Sequence, residues 1–63
     1  MDEAKVKKWI QDLNNRVGMI LANAELMQLE SLTPKALERT KTIEGKTLEV
    51  RQLIRDLSDH LFE

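Results

Sequence analysis

The polar run Gln11-Asp12-Leu13-Asn14-Asn15 contains the residue types that come closest to a chemical site in this chain. It supplies one carboxylate, that of Asp12, and three carboxamides, those of Gln11, Asn14 and Asn15. A carboxamide donates and accepts hydrogen bonds, but its nitrogen has no basic lone pair, so Gln11 cannot act as a nucleophile. The run therefore offers hydrogen bonding and one acid, without a covalent catalyst at position 11.

Other residues that could do chemistry are few. The chain has no cysteine, which excludes disulfides and thiolate metal sites, and its one histidine, His60, cannot build a metal cluster. We expect no metal and no cofactor, and we expect His60 to lie at the surface. The alternative interpretation of the run at 11–15 is a polar face on an ordinary helical bundle.

Two helices must position this run. Residues on both sides of Thr33-Pro34 are rich in Ala, Leu, Glu, Lys, Gln and Arg, which favour helix. Thr33 followed by Pro34 is typical of a helix N-cap and first helical position. The sequence predicts helix 1 over about 2–29, a turn at 30–33 and helix 2 over about 34–61, within a single domain of residues 1–63.

Apolar residues in both predicted helices alternate at spacings of four and three, the repeat of a coiled-coil seam. Positions at equal distances from the turn match, for example Ile20 with Ile43 and Val17 with Thr47, which predicts an antiparallel hairpin. Threonines in the seam should bond their hydroxyls to preceding carbonyls. The two seams are Val6, Ile10, Leu13, Val17, Ile20, Ala24 and Met27, and Ala36, Thr40, Ile43, Thr47, Val50, Ile54, Leu57 and Leu61.

A second copy of the hairpin is expected because a chain of 63 residues buries too little surface to be a stable monomer. Trp9, Leu21, Leu37 and Leu53 flank the seams and widen the apolar stripe beyond what one partner helix covers. The predicted fold class is therefore all-α: an antiparallel helical hairpin that forms a homodimeric four-helix bundle. Gln11 and Asn15 then lie outward, one turn apart, with Asp12 beside them.

The run at 11–15, followed by Ala24-Glu25-Leu26 near the end of helix 1, resembles the dimerisation and histidine-phosphotransfer domain of sensor histidine kinases. It is similar to the subgroup whose acceptor helix begins His-Asp-Leu-Asn-Asn, with Gln11 in place of the histidine. Helix 2, through Leu53–Ser58, resembles the second helix of that domain, so the resemblance covers the whole chain. It implies a module of two-component signal transduction.

The resemblance also implies roles for individual residues. Asp12 takes the place of the acid that orients the histidine and accepts its proton, and Asn15 takes the place of the residue that positions water for phosphatase chemistry. Gln11 takes the acceptor's place and cannot form a phosphoramidate, so phosphoryl relay through this chain is not expected. Gln11 is either a natural degenerate residue or an engineered replacement, and the sequence does not decide between them.

Two partners besides a second copy follow from the resemblance: a response-regulator receiver domain and the ATP-binding domain of a histidine kinase. Small or apolar residues on the outward side of helix 1, where charge is expected, indicate a docking surface. We assign partner binding to Asn14, Gly18, Met19 and Ala22. The chain has no Gly-x-Gly pattern and no room for an ATP-binding domain, so we expect no kinase activity on its own.

The charge balance and hydropathy of the chain argue against other classes of function. Ten basic residues against eleven acidic ones give a net charge of -1, which argues against general nucleic-acid or anionic-membrane binding. No apolar run approaches the roughly 20 residues of a membrane span, and a cytoplasmic location is expected. The competing function is a structural or adaptor bundle without phosphoryl chemistry; a small RNA-binding bundle is disfavoured by the charge.

Overall fold

The computed structural model describes residues 2–62, which form two α-helices in a hairpin: α1 (Glu3–Met27) and α2 (Pro34–Leu61). The hairpin measures 47 × 15 × 13 Å, so the two helices lie side by side along their length. The predicted hairpin is confirmed. The helical bounds agree with those expected from the sequence, except that α1 begins one residue later and ends two residues earlier.

Both helices begin at side-chain caps. Oδ1 of Asp2 accepts a hydrogen bond from the backbone N–H of Lys5 at 3.2 Å, which makes Asp2 the N-cap of α1. Oγ1 of Thr33 accepts from the N–H of Ala36 at 3.1 Å, and Pro34 occupies the first position of α2. The predicted cap at Thr33 is confirmed. Each cap satisfies an amide that the helix itself leaves free.

The end of α1 explains why the first helix is shorter than expected. Three successive amides after its last turn, those of Gln28, Leu29 and Glu30, bond to carbonyls three residues back rather than four. This tightening of the last turn is common where a helix ends. It leaves residues 28–33 as the connection between the helices.

The buried core of the hairpin is small. Among the described residues, five apolar side chains and two threonines are buried: Ile10, Val17, Leu21, Ala24 and Ile54, with Thr40 and Thr47. Thr40 is only 2% exposed, and its hydroxyl donates to the carbonyl of Ala36 at 2.7 Å. The Thr47 hydroxyl donates to the carbonyl of Ile43 at 2.6 Å. The bonding expected for the seam threonines is therefore confirmed.

The seam divides into a buried half and an exposed half. We define the apolar face as the six seam residues that stay between 41% and 50% exposed: Leu13, Ile20, Met27, Ile43, Val50 and Leu57. These six recur every seven residues within each helix, so they form one stripe along one side of the hairpin. A single partner helix covers only the other half of the predicted seam.

The flanking apolar residues divide in the same way. Leu21 is buried inside the hairpin and Leu37 is half-buried, whereas Trp9 and Leu53 are 54% and 65% exposed. The expectation that all four flank positions need a second hairpin is therefore wrong for Leu21. It lies three residues before Ala24 and four after Val17, on the side that α2 closes over.

Candidate functional site

The run at 11–15 lies in the middle of α1 and faces solvent. Gln11, Asn14 and Asn15 are exposed, and Asp12 is half-buried. Gln11 and Asn15 are four residues apart, which places them on neighbouring turns of the same helical face. The outward orientation expected for these two side chains agrees with their exposure. Among residues 2–62, no hydrogen bond engages the side chain of Gln11, Asn14 or Asn15.

Asp12 already has partners on its own helix. Its Oδ2 lies 3.1 Å from Nζ of Lys8, one turn before it. The Arg16 guanidinium, one turn after it, donates to the Asp12 backbone carbonyl at 3.2 Å. Ion pairs of this kind at a helix surface are worth about 0.3–0.5 kcal/mol, so the carboxylate can exchange Lys8 for another partner at small cost.

Two of the three carboxamides of the run, those of Asn14 and Asn15, face a groove between the two helices. We define the polar groove, with a cavity volume of about 410 Å³, by its lining: Asn14 and Asn15 from α1, and Arg51, Arg55, Ser58 and Asp59 from α2. The α2 residues of this set did not emerge from sequence reasoning. The heptad spacing could have identified Arg51, because it follows the seam residue Thr47 by four positions, as Asn14 follows the seam residue Ile10. Both residues therefore lie next to the seam.

An apolar groove lies on the other side of the seam. It has a volume of about 300 Å³ and is lined by Val17, Ile20, Thr42, Ile43, Lys46, Thr47 and Val50. A second apolar depression of about 300 Å³ continues it towards the turn and is lined by Met19, Ile20, Asn23, Ala24, Met27 and Ile43. Ile20 and Ile43 line both depressions, so they lie at the centre of the apolar face.

The buried seam separates the two grooves. Leu13 follows Ile10 by three residues and Asn14 follows it by four, which places them on opposite sides of a helix whose seam is Ile10 and Val17. In the same way, Val50 and Arg51 fall on opposite sides of the line from Thr47 to Ile54. The hairpin therefore has the apolar face on one side and, in the half away from the turn, the polar groove on the other; nearer the turn this second side carries Leu21 and Leu37.

The residues assigned to partner binding are not all brought together. Asn14 lines the polar groove, whereas Met19 lines the apolar depression near the turn. Gly18 and Ala22 are exposed on the solvent side of α1, each seven residues after Gln11 and Asn15 respectively. Nothing lies within 4 Å of a Cβ placed on Gly18 or Gly45, so neither glycine is required by packing inside the hairpin.

Residues 2–62 contain no group of three His, Cys, Asp or Glu side chains that could hold a metal ion. In the same part of the chain, neither helix combines the length and apolar character needed to cross a membrane. Comparison of the chain with protein-family models, with curated proteins and with solved structures finds no match.

Proposed function

We propose that this chain is a dimerisation and phosphotransfer-type module of two-component signalling whose acceptor position is inactive. The observation that supports this most directly is the exposure of Gln11 and Asn15, one turn apart, in the middle of a hairpin with an uncovered apolar side. A module of this kind presents the acceptor helix to other domains and holds two copies together. The proposed role implies a cytoplasmic location.

A second copy covering the apolar face is part of the proposal. The chain exposes 5159 Å², whereas a compact monomer of its mass exposes about 4200 Å². The excess, about 1000 Å², exceeds the roughly 800 Å² per partner that a standard stable interface buries. Two hairpins packed through their apolar faces would form a four-helix bundle and cover the exposed halves of both seams.

This arrangement leaves the chemistry-bearing side accessible. The polar groove lies on the opposite side of the seam from the apolar face, so a bundle joined through the apolar faces has a polar groove on each outer side. Gln11 and Asn15 would be available to the receiver domain and to the ATP-binding domain of a kinase. Gln11 accepts no phosphoryl group, and the module acts by holding and presenting its partners.

The test restores the acceptor. The variant Gln11→His, incubated with ATP-binding domains of histidine kinases and labelled ATP, is expected to incorporate acid-labile label. The parent chain and Gln11→Asn are matched controls and should remain unlabelled. Label that persists in Gln11→His after His60→Asn is added must be at position 11. Absence of label with several such domains would remove the phosphotransfer part of the proposal.

The partner surface has a separate test. A charge at Ala22 or Met19, as in Ala22→Glu or Met19→Glu, is expected to abolish receiver binding while helicity stays at the parent level. Isothermal titration measures the first and circular dichroism the second. Because Met19 lines the apolar side, Met19→Glu should also weaken dimerisation, and Ala22→Glu should not. An unchanged receiver affinity in both variants would contradict the assignment.

The second candidate function is an adaptor bundle that mediates protein–protein contact without phosphoryl chemistry. Gln11 itself favours it, because the run lacks a nucleophile at the position where phosphotransfer needs one. The adaptor and the signalling module share the dimer and the two grooves. They differ in whether the chain with Gln11→His accepts phosphate from a kinase domain.

A further inference from the structure

Two arginines of α2 stand one turn apart in the polar groove. Arg51 and Arg55 are both exposed, and their spacing of four residues puts their guanidinium groups on the same face of the helix. They also line a neighbouring depression of about 400 Å³ with Leu48 and Gln52. The pair therefore forms a cationic ridge between two depressions on the side of the hairpin away from the apolar face.

This pair opposes helix stability. Like charges four residues apart destabilise a helix by about 0.2–0.5 kcal/mol, the amount by which opposite charges stabilise it. Arg51 has no acidic residue three or four positions away on either side. Asp59 follows Arg55 by four residues, which is the less favourable order for an ion pair, and it also lines the groove.

Three other cations of residues 2–62 are held in ion pairs on their own helix. Lys7 bonds with Glu3, Lys8 with Asp12 and Lys46 with Glu49. No carboxylate among residues 2–62 is within ion-pair distance of Arg51 or Arg55. The hydrogen-bond donors of both guanidinium groups are therefore available to an external acceptor.

The groove around the pair is rich in hydrogen-bond donors. Each guanidinium presents a planar fork of N–H groups that matches a carboxylate at two points. The carboxamides of Asn14 and Asn15 face them from α1, and the Ser58 hydroxyl lies on α2. Against these donors the groove contains one carboxylate, Asp59, so its net charge is positive although that of the chain is -1.

We propose that the polar groove is the contact site for an acidic surface of a partner protein, with Arg51 and Arg55 binding its carboxylates. The proposal rests on the proposed function only for the identity of that partner, a receiver domain. The partner-binding residues assigned from the sequence all lie on α1, and the proposal adds Arg51 and Arg55 of α2 to them. The groove needs nothing from the second copy to be complete.

An oligo-aspartate peptide is the partner-independent probe. Titrated into the full chain and followed by NMR of arginine Nε–Hε and asparagine side-chain signals, it should give saturable shifts at Arg51, Arg55, Asn14 and Asn15. The double variant Arg51→Gln with Arg55→Gln, which preserves helix propensity, should weaken this binding about tenfold or more. Arg39→Gln is the matched control, since Arg39 lies on α2 outside the groove, and it should bind as the parent does.

Three results would overturn the proposal. The first is shifts that never saturate and affect every arginine alike. The second is equal affinity in the parent and the double variant. The third is saturation by inorganic phosphate at matched ionic strength with no response to the peptide, which would make the groove a small-anion site.

A receiver domain separates this inference from the proposed function. If a receiver binds the parent chain and the double variant equally well, the contact assigned to Arg51 and Arg55 is wrong and the signalling module stands. If no receiver binds the parent chain, the proposed function loses its partner, and the peptide titration still decides whether the groove binds an acidic surface.

Discussion

Nζ of Lys8 lies 3.1 Å from Oδ2 of Asp12, so the carboxylate beside Gln11 is held by a cation on its own helix. An acid that orients a neighbouring acceptor must direct an oxygen towards that acceptor. Lys8 competes for the same carboxylate. The exchange costs little, because the ion pair lies at the surface, with the Lys8 side chain 71% exposed and the Asp12 side chain 39% exposed.

The first prediction concerns this competition. In the Gln11→His background, adding Lys8→Gln should raise the initial rate of label incorporation about twofold, since an ion pair at this helical spacing is worth about 0.3–0.5 kcal/mol. Lys5→Gln is the control, because Lys5 lies over the Trp9 ring and makes no bond to Asp12. Equal rates in the two double variants would show that Lys8 does not compete with the acceptor for Asp12.

The second prediction concerns the apolar face. Ile43→Lys introduces a charge at its centre and should weaken self-association by about 100-fold or more, because an unpaired charge is costly to bury. Sedimentation equilibrium should then find a particle near 7.3 kDa where the parent chain has twice that mass. Leu29→Lys is the matched control: Leu29 is 84% exposed and lies outside the apolar face. A parent chain that is itself monomeric at working concentration would contradict the dimer.

The third prediction concerns the buried threonines. Thr47→Val replaces a buried hydroxyl by a methyl of similar size, and the Ile43 carbonyl keeps its helical partner. We expect the free energy of unfolding to rise by about 1 kcal/mol, since the hydroxyl bond to a preceding carbonyl slightly destabilises a helix. Urea denaturation at fixed protein concentration measures it. Thr42→Val is the control, because its hydroxyl makes the same type of bond at an exposed position; a loss of stability in Thr47→Val alone would reverse the interpretation.

The fourth prediction concerns the two glycines. Gly18→Ala and Gly45→Ala should each raise the free energy of unfolding by about 1 kcal/mol, because both glycines are helical and a Cβ at either meets open space. Thermal denaturation followed by circular dichroism tests this. If a partner approaches α1 closely at Gly18, then Gly18→Ala should also weaken receiver binding. Gly45→Ala serves as its control, and equal binding by both would mean that these glycines are merely tolerated.

The sequence by itself determined the two helices, the cap of the second helix and the approximate place of the turn between them. These features depend on local chemistry: the hydroxyl of Thr33 caps the second helix, Pro34 fits its first position, and a repeat of four and three residues marks a seam. The outward position of Gln11 and Asn15 followed from the same repeat. The repeat also predicted that Thr40 and Thr47 would bond to carbonyls of their own helix.

Only the tertiary structure decided which side of each seam the hairpin covers. A periodic pattern identifies a stripe on each helix, but burial depends on how the two helices are rotated against each other. That rotation buries Leu21 and leaves Ile20 and Ile43 exposed. It also brings Arg51 and Arg55 opposite Asn14 and Asn15, residues more than 30 positions apart in the chain, because side chains distant in sequence become neighbours only when the helices pack.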